Sequence, residues 1–214
     1  MYLKSLIIAH FGLFLLVLSY DKNMSDKFFP SPLPQLLSLI LKQYDHTGSI
    51  LGIPKELFFK PQPDDQFRMT RFGQLLETPI GVAAGPHTQL SQNIVAAWLT
   101  GARFIELKTI QTLDEIEISK PCIDMQDEGY NCEWSQELKV QQSFDQYLDA
   151  WILIHILKNK LGIGNPGQAG CIFNMSIGYN LEGILKKNVQ WFLDKMQDAS
   201  AELKHKIESV KSIY

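Results

Sequence analysis

The stretch Thr78-Pro-Ile-Gly-Val-Ala-Ala-Gly-Pro-His-Thr-Gln89 constrains this chain more than any other. Its apolar run, Ile80 to Ala84, reads as a short buried strand that stops at Gly85 and feeds a helix. The small residues Gly81, Ala83, Ala84 and Gly85 leave the backbone bare, so another backbone or a flat ligand can approach it closely. Phe104-Ile-Glu-Leu-Lys-Thr109 repeats the plan, and Phe173-Asn-Met-Ser-Ile-Gly178 does so a third time. Each is an apolar strand with a small or polar end. Strands of this kind separated by helical stretches predict a parallel sheet with right-handed crossovers. Polar groups at three strand ends suggest a cofactor site above one edge of that sheet.

The remaining elements follow from periodicity. Leu36, Leu37, Ile40 and Leu41 make a helical stripe over about 34–46, with Pro34 able to sit in the first turn. Phe67 to Thr70 and Gln74 to Thr78 flank Arg71-Phe-Gly73 as a β-hairpin leading into the first strand. Helices are predicted over 90–99, 144–161 and 189–199, with a charged helical tail from Glu202. Ile110 to Gln136 shows no period and carries many acidic residues. A loop of that length inside a compact domain usually serves function, and it could hide a fourth strand. The chain divides accordingly into an apolar extension (1–23), a helical lead-in (24–66) and an α/β unit (67–214).

Charge and cysteine usage exclude some classes. The net charge of -3 leaves no basic footprint for nucleic acid. Cys122, Cys132 and Cys171 are too few and too scattered for a disulfide framework, a zinc site or an iron–sulfur cluster. They read as reduced thiols of a cytoplasmic protein. Leu6 to Leu18 is apolar but shorter than the about 20 residues of a membrane span. It reads as translated upstream sequence, a cleaved signal or a membrane anchor, and the lack of disulfide spacing favours the first. A membrane association is not expected.

Taken in order, Pro79-Ile-Gly-Val-Ala-Ala-Gly85, Phe104-Ile-Glu-Leu-Lys-Thr109, Lys120-Pro121, Gly129-Tyr-Asn131 and Asn174-Met-Ser176 resemble the dihydroorotate dehydrogenase-type flavin barrel. The likeness is nearest to the N-terminal region of the large selenate reductase-type subunit (YgfK type), over about residues 34 to 200. Gly85-Pro-His-Thr-Gln-Leu90, Lys120-Pro-Cys-Ile-Asp124 and Phe173 to Gly183 carry it. The resemblance implies an FMN-dependent oxidoreductase built on a TIM (β/α)8 barrel, of which this chain holds about the first half. It implies that Ala83, Ala84 and Gly85 lie against the flavin and that Lys108, with Thr109, sits at its pyrimidine edge. A cation there stabilises the reduced, anionic cofactor. Asn174 would hold flavin or substrate through its amide. Gln126, Gly129, Tyr130, Asn131 and Asn180 would face a small-molecule substrate. No metal ligands are implied.

Alternative readings of the same residues are structural. The small run at 83–85 also suits a tight strand–helix junction, Lys108 a solvated strand end, and Gly129 to Asn131 a turn. Two departures from the dihydroorotate enzymes matter. Gln126 stands where they have asparagine, and Ile177 stands where they carry a cysteine or serine base. A hydrocarbon cannot take a proton, so that reaction is not supported. Ser176, Cys132 and His87 are the replacement candidates. In the longer family protein, 4Fe-4S segments and FAD or NAD(P) sites belong to other regions, and the rest of that flavoprotein or separate redox subunits are the expected partners. A (β/α)8 barrel needs about 250 residues and holds phosphate after its last strands. The chain therefore reads as a fragment, expected to bind FMN weakly or not at all alone. The alternative is a non-catalytic assembly piece.

Overall fold

The structure, a computed structural model, describes residues 28–113, 123–124, 130–131, 135–165 and 167–214, with only the backbone of 123–124 and 130–131. Helix α1 (Leu33–Thr47) opens the described chain. Leu33, Leu36, Leu37 and Ile40 recur at helical spacing and are buried. Pro34 occupies the first turn, where a missing N–H costs nothing. Gly48 stops the helix at φ 65°, donating its N–H to Tyr44 O; a side chain there would have to adopt the left-handed region.

A two-residue antiparallel pair, β1 (Ser49–Ile50) and β2 (Ile53–Pro54), follows. Next comes the expected hairpin, β3 (Met69–Arg71) against β4 (Gln74–Leu76), with Arg71 opposite Gln74. The central sheet has three parallel strands in the order β5 (Gly81–Val82), β6 (Phe104–Glu106) and β9 (Ile172–Asn174). In register, Val82, Ile105 and Phe173 lie side by side, as do Glu106 and Asn174 one step on. Helix α2 (Ser91–Leu99) connects β5 to β6, and α3 (Val140–Leu161) precedes β9. Helices α4 (Leu181–Ile184), α5 (Lys187–Gln197) and α6 (Ser200–Val210) complete the chain.

The core lies between one face of this sheet and the helices. Ile105 and Leu107 are fully buried there with Trp98, Leu99, Tyr147, Leu153 and Ile154. Helix α3 is the spine: α2, α5 and α6 all pack on it, while α6 also meets α1. Its final turn carries Lys158 and Lys160, which complement the helix dipole, and Gly162 closes it at φ 62°.

Two expectations change. Ile80–Ala84 is not a buried strand: the paired part is Gly81–Val82, Ile80 is 62% exposed, and Gly81 and Ala83 are exposed. The reason is position, because β5 is an edge strand with a neighbour on one side alone, and Ile80 precedes its paired part. The excursion after Ile110 contributes an antiparallel pair, β7 (Ile123–Asp124) with β8 (Tyr130–Asn131), rather than a fourth parallel strand among the described residues. Short elements such as α4 and the β1–β2 pair were not legible as periods, being under two turns or two residues long. Among the described residues the strands do not close a barrel. None of the described helices is long and apolar enough to cross a membrane.

Candidate active site at the strand ends

Parallel pairing brings the C-terminal ends of β5, β6 and β9 to one mouth. The register continues past the strands: Leu107 N–H donates to Asn174 O at 2.8 Å, Ile110 N–H donates to Ser176 O at 3.3 Å, and Ile110 bridges Ile177. Lys108 and Thr109 therefore run beside Met175 and Ser176. Gly81 shows how closely β5 must approach. A Cβ there would meet Phe104 O at 2.5 Å, so a side chain would push the strands apart.

The mouth collects the residues expected to face a cofactor, together with Ser176. Ala83 is exposed, Ala84 half-buried and Gly85 buried. Gly85 has extended backbone, its N–H donates to Thr88 Oγ1 at 3.2 Å, and Thr88 Oγ1 donates back to Gly85 O. That local bond starts the turn Pro86–Gln89 leading into α2. Lys108 is only 7% exposed, which removes the reading of a solvated lysine. Its carbonyl accepts from the Tyr147 hydroxyl at 3.0 Å, so α3 pins its backbone. Burial of Tyr147 pushes its phenol well above the ordinary value, so it acts here as a neutral donor.

The side chain that organises the mouth is Glu106, which the motif reading passed over. Its Oε2 accepts from Asn174 Nδ2 at 2.6 Å and its Oε1 from Ser176 Oγ at 2.8 Å. The signal was present, since a period of two puts Glu106 on the face opposite Ile105 and Leu107.

Other candidates lie further out. His87 is exposed on the turn after Gly85, and its carbonyl accepts from Asn93 Nδ2 at 3.1 Å. Asn180 caps α4, its Oδ1 accepting from Gly183 N–H at 2.8 Å. Neither touches the Glu106 cluster. Tyr130 and Asn131 have only their backbone placed, in β8. Gln126, Gly129 and Cys132 lie outside the described residues. The base of the excursion is held by glutamines. Gln89 Oε1 accepts from the N–H groups of Glu137 and Leu138 at 3.2 and 3.1 Å, and Gln136 Oε1 accepts from Gln111 N–H at 3.2 Å. No group of three or more possible metal ligands occurs among the described residues. A cleft of about 350 Å³ beside α3 and the α5–α6 junction, lined by Phe144, Tyr147, Trp151 and Phe173, includes none of the mouth residues.

The opposite end of the sheet is tied by a buried ion triad. Glu77 precedes β5 and accepts from Arg103 Nε at 2.6 Å, with Lys158 Nζ at 3.4 Å on its other oxygen. All three are buried. Burial also pushes the neighbouring Cys171 thiol up to about 11, against the pull of Arg103 and Lys158.

A parallel α/β sheet tied at its N-terminal end and polar at its C-terminal end belongs to the α/β class, in which chemistry sits beyond the strand C-termini. The comparison with known sequences agrees. Residues 51–213 match the family model described as "Oxidoreductase YgfK, N-terminal TIM-barrel domain", and the chain belongs to that family. It is 49% identical over 177 residues to "Putative oxidoreductase YgfK" of Escherichia coli strain K12, a match covering 83% of this chain and 17% of that protein. The protein of the same name from Escherichia coli O157:H7 matches to the same extent. The chain thus spans about a sixth of the length of these relatives. No solved structure gives a significant match.

Proposed function

We propose that the chain supplies the flavin-facing part of an FMN-dependent oxidoreductase, as the TIM-barrel portion of a YgfK-type protein. The observation that carries this reading is the convergence of Ala83–Gly85, Lys108 with Thr109, and Asn174 with Ser176 on one mouth through the parallel register of three strands. The donor set suits the group. Gly81 and Ala83 form an exposed ledge without side-chain bulk, against which a flat ring can lie. Lys108 offers a cation held at low exposure, where its field is less screened than in water. The Asn174 amide has a fixed orientation. Flavin bound here would supply hydride or electron transfer; Ala83–Gly85 and Asn174 would hold and orient it, and the Lys108 cation would favour its reduced, anionic form.

In the longer protein, iron–sulfur and FAD or NAD(P) segments would exchange electrons with this site, and a small molecule would be the substrate. Selenate remains a name attached to the resemblance. Of the three arginines, Arg68 and Arg71 belong to the hairpin region and Arg103 is committed to Glu77 at the far end of the sheet. None serves as an oxyanion clamp at the mouth.

The test is titration of the purified chain with FMN, followed by quenching of flavin fluorescence, beside Lys108→Ala. Saturable binding that the variant weakens about tenfold, the worth of one charge-assisted contact, is the expected result. Weak binding is expected of part of a barrel, so the comparison decides: equal FMN affinity of the two proteins would refute a flavin site built from these strands.

A further inference from the structure

Glu106 is the group at this mouth that neither the motifs nor the relatives explain. It is half-buried, on the face opposite Ile105 and Leu107. Each of its oxygens is taken by a neutral donor from β9 or its extension, Asn174 Nδ2 at 2.6 Å and Ser176 Oγ at 2.8 Å. Among the described residues no lysine or arginine pairs with it. Lys108, two residues on, is buried, and its cation is the one assigned above to the flavin.

An ionised carboxylate accepts and cannot donate. The contact therefore settles which way the Asn174 amide is turned, a choice that an amide alone leaves open. Its NH2 group faces Glu106, and Oδ1 is directed away. Ser176 has one hydroxyl hydrogen and commits it to Glu106, so its lone pairs remain. Three side chains on two adjacent strands thus hold free lone pairs: Glu106, Asn174 and Ser176. The second amide hydrogen of Asn174 is the one donor left in the cluster. A lone Asn–Ser pair would be adaptable, with either polarity available. The carboxylate removes that freedom.

We infer that Glu106 determines the ligand specificity of this mouth, by holding Asn174 and Ser176 as acceptors so that the site takes a neutral or cationic small molecule offering N–H donors, such as an amide, amidine or amine. The inference rests on the mouth being the cofactor- and substrate-facing site proposed above. An oxyanion would meet a carboxylate and two oriented acceptors, leaving its own oxygens short of donors. Such a mismatch excludes a ligand more effectively than a missing contact does, because polar groups lose water without gaining partners. The selenate in the name of the resemblance is an oxyanion; the polarity of this cluster points away from one.

The experiment uses the full, 15N-labelled chain and follows backbone and side-chain amide signals of residues 104–110 and 172–178 by NMR. The probes are benzamidine and sodium selenate at matched ionic strength. Benzamidine should shift the Asn174 side-chain amide and its neighbours saturably. Glu106→Gln should weaken that binding about ten- to hundredfold, as for loss of hydrogen bonds to a charged group, while Glu106→Asp retains part of it. Selenate should leave these signals in place. Saturable selenate shifts at the same residues, or benzamidine affinity unchanged in Glu106→Gln, would overturn the inference. The Trp98 indole signal reports whether each variant keeps its core. If Glu106→Gln does not fold, Ser176→Ala decides, because it keeps the carboxylate but loses one acceptor. Several-fold weaker benzamidine binding is expected there, and unchanged binding overturns. FMN titration of the same samples separates the two claims. Wild-type FMN binding with no Glu106-dependent probe binding sinks the specificity alone. Glu106-dependent probe binding with FMN affinity unchanged in Lys108→Ala sinks the flavin reading alone.

Discussion

Replacing Glu77 by glutamine should cost this fold about 3 kcal/mol, and the structure shows why the cost falls there. Removing one partner of a buried ion pair typically destabilises by about 3–5 kcal/mol, because the other charge stays buried without compensation. Here two cations are left, Arg103 fully buried and Lys158 only 7% exposed. Both keep other partners, which places the value at the lower end of the range. Lys158 Nζ donates to Gln168 O and Ala169 O, each at 2.8 Å. Arg103 donates from Nη1 to Trp98 O at 2.6 Å and to Ala102 O at 3.0 Å, and its guanidinium lies over the Trp98 and Phe59 rings at 4.9 and 5.3 Å. Glutamine keeps the shape and one acceptor for Arg103 but turns either an amide or nothing toward Lys158.

Equilibrium urea unfolding measures this. With a slope of about 2 kcal/mol per molar, the midpoint should fall by about 1.5 M at constant slope. The packing around Glu77 supplies an independent check. A Cβ on Gly170, at φ 70°, would overlap the Glu77 carboxyl carbon. Gly170→Ala should therefore cost more than the about 1–2 kcal/mol of left-handed strain alone, and the excess should vanish in a Glu77→Ala background. A loss below about 1 kcal/mol for Glu77→Gln, against the stated range for buried pairs, would refute the triad as a stabilising contact. So would an equal cost of Gly170→Ala in both backgrounds, since the overlap argument would then be wrong.

Two further outcomes are expected. Cys171, with its thiol raised to about 11 by burial, should resist iodoacetamide at pH 8 in the folded chain and react on unfolding, read by mass spectrometry in a Cys122→Ser, Cys132→Ser background. Its folded value lies above the ordinary 9.0, so its contribution is complete below that value and is lost as pH rises toward about 11. Urea midpoints of this background should fall over that window more than those of the same chain with Cys171→Ser, and equal pH profiles would contradict burial of the thiol. Gly81→Ala should destabilise by about 1–3 kcal/mol through overpacking against Phe104 O, 2.5 Å from the new Cβ; a neutral effect in the same unfolding assay would mean that β5 can shift freely.

Local pattern carried the parts of this fold that are local. Leu36, Leu37 and Ile40 declared α1, Arg71-Phe-Gly73 declared the hairpin, and the small or polar ends of three apolar runs placed the mouth. Exposure was not legible in the same way. Ile80 looks like a core residue in any window, yet it is 62% exposed, because it precedes the paired part of a strand at the sheet's edge. Lys108 shows the reverse, a charged strand-end residue that tertiary packing buries. The triad was invisible for a different reason. Glu77, Arg103 and Lys158 are ordinary charges separated by long stretches of chain, and nothing short of the fold says that they meet. Glu106 was legible in part: strand alternation gave its face, but only the register with β9 gave its partners.

The two ends of the sheet solve opposite problems with similar residues. At the N-terminal end one carboxylate joins the segment before β5 to Arg103 before β6 and to Lys158 of α3, while Glu77 N–H donates to Gly170 O before β9 at 3.0 Å. One residue thus ties all three strands to each other and to the central helix. At the C-terminal end another carboxylate, Glu106, meets only neutral donors among the described residues and stays half-exposed. A carboxylate surrounded by buried cations is costly to remove but has no capacity left for a ligand. A carboxylate held by an amide and a hydroxyl contributes less to stability, since its loss leaves no buried ion uncompensated. It keeps lone pairs and charge available at the surface where a ligand arrives. The same division explains why a barrel can vary its chemistry at one end without risking its fold: register is secured at the other. On this argument the destabilisation from Glu77→Gln and the ligand effects of Glu106→Gln belong to separate ends of the same three strands. Combining the two substitutions should leave each effect unchanged, because they share no partner.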